Sequence, residues 1–198
     1  MTTARVLPDA GTLRADQAQR RQRIVDAAMQ MMFDTDYDKI QVKDIAEQAD
    51  VALGTLYRYF NSKDHLMACA IESWAASFDQ RIEQSPSGSP GARVRATYRR
   101  AVRAFERQPR VYGALIHVQS STDPYAIEVT RAFSQRLIGA FGDALESSTM
   151  SDGRRAAVVG VMSAVLDGSL RRWQLGHLPI ASVYKAIDDA VDLIFPEG

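Results

Sequence analysis

Apolar side chains recur along this chain at steps of three and four residues rather than two, the period of helices that bury one face. Ile24, Ala27, Ala28, Met31 and Met32 mark a first helix, and Ile45, Ala46 and Ala49 mark a short second one. Leu56 and Phe60 form the inward side of a third, starting near Leu53. Leu66, Ala70, Trp74 and Phe78 lie close to one stripe and predict a connecting helix over 63–84, which the Ser/Pro/Gly run at 85–91 must break. Further helices are expected at 91–107, 109–120, 124–148, 152–176 and 179–195, with Pro109, Pro124 and Pro179 in first turns, where a missing N–H is not needed. No internal repeat and no long strand-like alternation competes, so the expected class is all-α.

The segment Val42 to Lys63, VKDIAEQADVALGTLYRYFNSK, carries the chemistry. Two short helices joined by a turn of three or four residues form a helix-turn-helix, whose second helix enters the major groove of DNA. Thr55, Tyr57, Arg58 and Tyr59 are expected to reach outward. Thr55 and Arg58 suit base edges, the two tyrosine hydroxyls suit phosphates, and Gly54 keeps no side chain between backbone and duplex. Asn61-Ser62 is a predicted N-cap for the next helix, and Lys63 with that helix start is a candidate phosphate site.

Charge lends no help. The whole chain has 24 basic and 24 acidic residues. DNA binding therefore rests on where charges stand, with Arg14, Arg20, Arg21 and Arg23 early in the chain and Lys43, Arg58 and Lys63 around the motif. Cys69 is the only cysteine and falls in an apolar run, which predicts a buried structural thiol and excludes an internal disulfide. No apolar run approaches a membrane span and no secretory segment is recognised at the start, so no membrane association and a cytoplasmic location are expected. His65, His117 and His177 lack metal-ligand spacing, and no HExxH, GxSxG or Gly-rich phosphate loop occurs. No metal, no cofactor and no catalytic residue is assigned.

The stretch ADVALGTLYRYFNSK, Ala49 to Lys63, resembles the signature of TetR-family transcriptional repressors, and the preceding helix, Tyr37 and VKDIA have that family's order and lengths. With His65 and Leu66 the motif is similar to actinobacterial repressors of sterol catabolism. Asp50 departs from a common Gly in the turn, Ala52 from a common Ser cap and Gln41 from a common Thr. Asp tolerates the left-handed conformation, while Ala52 leaves the third helix uncapped, a loss of roughly 1 kcal/mol.

The resemblance implies a flexible arm at 1–16, a three-helix DNA-binding domain at 17–65 and a helical effector and dimer domain at 66–198. It implies a palindromic duplex operator contacted by Gly54, Thr55, Tyr57, Arg58, Tyr59 and Lys63, supported by Gln41, Lys43 and Arg14. A small hydrophobic effector is expected among Trp74, Phe78, Tyr98, Val102, Phe105, Tyr112, Ile116, Phe133, Leu137, Phe141, Met162, Leu166 and Trp173. A sterol-derived acid or its coenzyme A thioester fits the narrower resemblance. The Arg-rich back of the 91–107 helix, Arg99 and Arg103 included, is a candidate seat for an anionic part of such a ligand. A two-fold homodimer through Val158, Val161, Val165, Val183, Ile187, Val191 and Ile194 would set two reading heads one helical turn of DNA apart. The alternatives are an architectural DNA binder without an effector and a helical thioester-binding enzyme.

Overall fold

The computed structural model describes residues 11, 13–79, 88–146 and 148–196, with the side chains of 77–79 outside that description. Among these residues there are helices α1 (Ala15–Asp34), α2 (Val42–Gln48), α3 (Leu53–Tyr59), α4 (Lys63–Asp79), α5 (Pro90–Arg107), α6 (Pro109–Gln119), α7 (Pro124–Asp143), α8 (Asp152–Gln174) and α9 (Ile180–Ile194), a 3-10 turn at Tyr37–Lys39 and no strand. The all-α class holds. Among the described residues two compact units emerge, one combining those up to Phe78 with Gly113–Arg131, the other combining those from Asp79 to Tyr112 with those from Ala132 on.

The first unit is built on the apolar spacing of its short helices. Ile24, Ala28 and Met32 of α1, Ile45 of α2, Leu56 of α3, Phe60 just after it, and Leu66 and Met67 of α4 are all wholly buried. Each large aliphatic or aromatic side chain so removed from water contributes about 1.5–3 kcal/mol. At the start of α4 the hydroxyl of Ser62 accepts the N–H of His65 at 3.1 Å, the expected cap.

In the second unit α5 presents Val94, Tyr98, Val102 and Phe105 to Met162, Leu166 and Leu170 of α8 and Val183, Ile187 and Val191 of α9, all of them buried. Gly91 is needed here. A methyl group at its Cα would stand 3.0 Å from the Cβ of Phe195. The polar side of α5 is tied to α9: Arg95 lies 3.1 Å from Asp188 and 2.6 Å from Asp192, and Arg99 lies 2.6 Å from Asp188.

Several expectations change. Val183, Ile187 and Val191 are buried inside their own unit, as is Val158, because α9 spends its apolar stripe on α5 and α8. They are unavailable to a second copy. Helix α7 ends at Asp143 rather than 148, since Leu145 and Glu146 bond back to Gly142 and Asp143 in tight turns and Arg93 takes the carbonyl of Ala144. Pro179 is the N-cap of α9, one position before the first turn. The predicted continuation of α4 to 84 and most of the 85–91 breaker fall outside the described residues, as do residues 1–10 and 12 of the arm.

Gly91→Ala should destabilise the protein by about 1–3 kcal/mol through overpacking. Gly139→Ala, whose added methyl meets nothing within 4 Å, should be neutral or slightly stabilising, and thermal melts followed by circular dichroism compare the two.

Candidate nucleic-acid interface

The turn between α2 and α3 is a Schellman motif. Val51 N–H reaches the carbonyl of Ala46 at 3.0 Å and Asp50 N–H that of Glu47 at 3.1 Å, with Asp50 in the left-handed region at φ 53°. Asp50 is the sole non-glycine residue with positive φ among those described. Ala52 starts α3 without a side-chain cap. Gly54 faces open space, its absent side chain answering to no neighbour within 4 Å. Gly54 is the second residue of α3, and no internal packing accounts for its lack of a side chain.

Tyr57 and Arg58 are exposed, as are Gln41, Lys43 and Arg14, while Thr55 is half-buried. Tyr59 is different, at only 8% exposed. It stands three residues after Leu56 and therefore shares that residue's inward face beside Phe60, 6.5 Å between ring centroids. The prediction that all four side chains reach outward fails at this position. Lys63 is also turned inward: its ammonium donates to the Tyr37 carbonyl at 2.5 Å and lies 4.1 Å from the Tyr37 ring centroid, and burial pulls its pKa down. Arg21 is 3.3 Å from the Cys69 sulfur and stacks over Phe60, while Arg20 is half-buried like it and Arg23 is exposed. Burial pushes the Cys69 thiol up to about 11, which makes it a poor nucleophile.

A polar concavity of about 270 Å³ separates α1 from α3, lined by Gln17, Arg20, Asp50, Val51, Ala52, Thr55, Arg58 and Tyr59. Gln17 was not singled out from sequence. Its amide oxygen accepts the Arg14 N–H at 3.2 Å, which looks like an ordinary capping box until the fold places it opposite the turn.

Below this face, the start of α4 is latched to the α6–α7 connection. Asp64 accepts the hydroxyls of Tyr37 and Ser121, and Asp123 accepts the Ser62 hydroxyl and the Tyr125 N–H. Tyr37 stacks on His117 with centroids 4.6 Å apart, and burial together with the Asp64 contact drives its pKa well above the usual value. Burial opposes ionisation of Asp123, yet these hydrogen bonds and the nearby His65 hold its pKa below normal. His65 is buried between Phe60 and Tyr125, accepts the Asn61 N–H at 3.2 Å, and is lowered to about 4 chiefly by burial, with Arg21 adding to the effect.

The predicted effector residues divide between the units. Trp74 and Ile116 belong to the first, the Phe78 side chain lies outside the described residues, and the others belong to the second. Tyr98, Val102, Phe105, Tyr112, Phe133, Phe141, Met162 and Leu166 are buried, with Leu137 and Trp173 half-buried. Tyr98 stacks on Phe141 at 3.9 Å and its hydroxyl lies 3.3 Å from both the Val159 carbonyl and the Ser163 hydroxyl. Tyr112 packs edge-on to Phe105 and donates to the Asp167 carbonyl at 3.1 Å. An open cleft among the described residues of this unit, about 440 Å³, has other walls: Ile138, Gly142, Asp143, Glu146, Arg155, Ala156, Val159, Gly160 and Ser163. Sequence reasoning passed over these because small and charged residues carry no apolar stripe. Arg99 is committed to Asp188 rather than free for an anionic ligand. No described helix is long and apolar enough to cross a membrane, and no described group of three or more His, Cys, Asp or Glu is placed to hold a metal.

A family model for bacterial regulatory proteins of the tetR family matches residues 24–69, from the middle of α1 into α4. The HTH-type transcriptional repressor KstR of Rhodococcus jostii is 30% identical over 186 residues, covering 92% of this chain and 85% of that protein. The chain belongs to the tetR family. As a DNA-binding transcriptional repressor of this family it also shares the fold of a TetR transcriptional regulator from Rhodococcus sp. RHA1, with a TM-score of 0.73, 25% identity and coverage of 93% and 98% of the two chains. FadR of Thermus thermophilus, solved in complex with lauroyl-CoA, matches in fold at a TM-score of 0.69 with 16% identity, covering 88% of this chain and 93% of that one.

The buried His65 gives the repressor a pH signature. It stays neutral down to about 4 when folded, whereas the unfolded chain takes up the proton near 6.5, so protonation between those values favours unfolding. Stability should be full above pH 6.5 and fall as the pH drops towards 4, and His65→Gln should flatten this part of the profile in urea melts.

Proposed function

We propose that this tetR-family repressor acts as a homodimer on a palindromic operator and is released by a hydrophobic effector, with a sterol-derived acid or its coenzyme A thioester as the leading class. The observation that carries the DNA reading is the outer side of α3, where Gly54 opens the backbone and Tyr57 and Arg58 project unobstructed. Thr55 joins them, and Gln41, Lys43 and Arg14 stand exposed for supporting phosphate contacts. Lys63 and Tyr59 serve chiefly to hold the helix in place, with only their outer atoms near the duplex.

The effector reading draws on the KstR likeness along most of the chain and on the acyl-CoA held by the structurally similar FadR. It also draws on the aromatic interior of the second unit, where Tyr98 and Tyr112 combine ring surface with a hydroxyl whose partners a ligand could replace. A ligand acts only through its difference in affinity between DNA-competent and DNA-incompetent states. The latch from Asp64 and Asp123 to Ser121 and Ser62 gives movement of the 113–131 segment a direct route to the start of α4, and so to the α3–α4 junction.

Of the predicted dimer residues, Val161 is 54% exposed and Val165 and Ile194 are half-buried, so the pairing face shifts to the outer side of α8, where Gly160 and Ala164 are also exposed. Val161→Glu should convert the dimer to monomer in analytical ultracentrifugation and weaken operator binding through lost avidity, a factor on the order of 100 or more.

The direct test is a gel shift on the promoter of the repressor's own gene, titrated with sterol-derived acids and their coenzyme A thioesters. Release by one of these supports the effector class; binding that none of them alters discards it. Arg58→Ala should weaken specific binding by about 1–3 kcal/mol if the guanidinium makes a bidentate base contact.

A further inference from the structure

Asp50 is an anomaly in a surface built to meet a polyanion. It is exposed, and its carboxylate has no hydrogen bond or ion pair among the described residues. It lines the same 270 Å³ concavity as Arg20 of α1 and Arg58 of α3, whose guanidinium groups likewise lack partners among the described residues. The turn does not require an acid. A left-handed φ of 53° is met at least as well by Gly or Asn, the latter with nearly the same shape. What Asp50 adds beyond Asn is therefore a negative charge in the concavity that Arg20 and Arg58 also line.

We propose that Asp50 is an affinity-setting acid, whose carboxylate subtracts from the attraction of Arg20 and Arg58 for a DNA backbone phosphate and keeps operator binding weak enough to be reversed. The inference rests on the operator-binding reading. Its logic is one of scale: an effector typically changes affinity by a factor of about 5 to 150, and a repressor bound far more tightly than its concentration requires stays on DNA when the effector arrives. With 24 charges of each sign the chain has no net positive field to moderate, so binding strength is tuned by single charges at the contact face.

The experiment measures fluorescence anisotropy of the dimer on two labelled duplexes of equal length, one recovered from a random library by repeated binding selection and one of scrambled sequence. Asp50→Asn should tighten binding to both by roughly three- to tenfold at low salt, with the gain fading as salt rises. Asp50→Gly, which also relaxes the backbone, should give the same binding gain, and in an Arg20→Gln background the gain from Asp50→Asn should shrink. No gain with Asn, or a gain with Gly alone, would overturn the proposal, the second outcome assigning the effect to backbone conformation. A gain confined to the selected duplex would overturn it too, by making Asp50 a reader of base edges. If selection from the library recovers no preferred sequence, the operator reading fails by itself, and the electrostatic role of Asp50 is decided on the scrambled duplex.

Discussion

Seven residues without a side-chain cap do not persist as a helix in water, because nucleation costs more than so few hydrogen bonds return. Helix α3 is such a segment, and it carries Gly54, Thr55, Tyr57 and Arg58, the centre of the proposed DNA contact. Its position is fixed by burial of Leu56, Tyr59 and Phe60 against α1, α2 and α4, while the Schellman turn at Asp50 sets the angle of entry. The strong constraint is thus hydrophobic and lies behind the reading face, leaving the outer surface free of structural duty.

That division explains what was legible in the chain and what was not. The apolar spacing gave every helix of the DNA-binding region, and the Asn61-Ser62 cap, the left-handed Asp50 and the uncapped Ala52 could be anticipated because each follows from chemistry within a few residues. Tyr59 and Lys63 were misjudged for the opposite reason. A tyrosine and a lysine are amphipathic, and only the fold reveals that a ring or ammonium has found a buried partner, Phe60 in one case and the Tyr37 carbonyl in the other. The same limit applied in the second unit, where an apolar stripe on α9 cannot announce whether it will face its own α5 or another molecule. Arg99 was read as part of an Arg-rich helix back open to an anionic ligand, because the acids that hold it and Arg95, Asp188 and Asp192, stand roughly ninety residues away.

The polar contacts of the first unit have a different character from its core. Asp64 and Asp123 hold hydroxyl groups rather than cations, a choice that avoids the large desolvation cost of a buried ion pair. Hydroxyl–carboxylate bonds also exchange partners with water readily, which suits the junction that moves in the proposed release, whereas the packing of Leu56 and Phe60 holds its surface fixed.

The way the two compact units share the chain bears on how such repressors diversify. Because Gly113–Arg131 belongs with the N-terminal helices, the reading head is not a contiguous cassette. A recombination point within α4, after Asp64, would transplant Ser62 and Asp64 without Ser121 and Asp123, leaving one hydroxyl and one carboxylate of the graft to find partners in the new host. A designer grafting a new reading head onto this scaffold would have to carry the α6–α7 corner along with it.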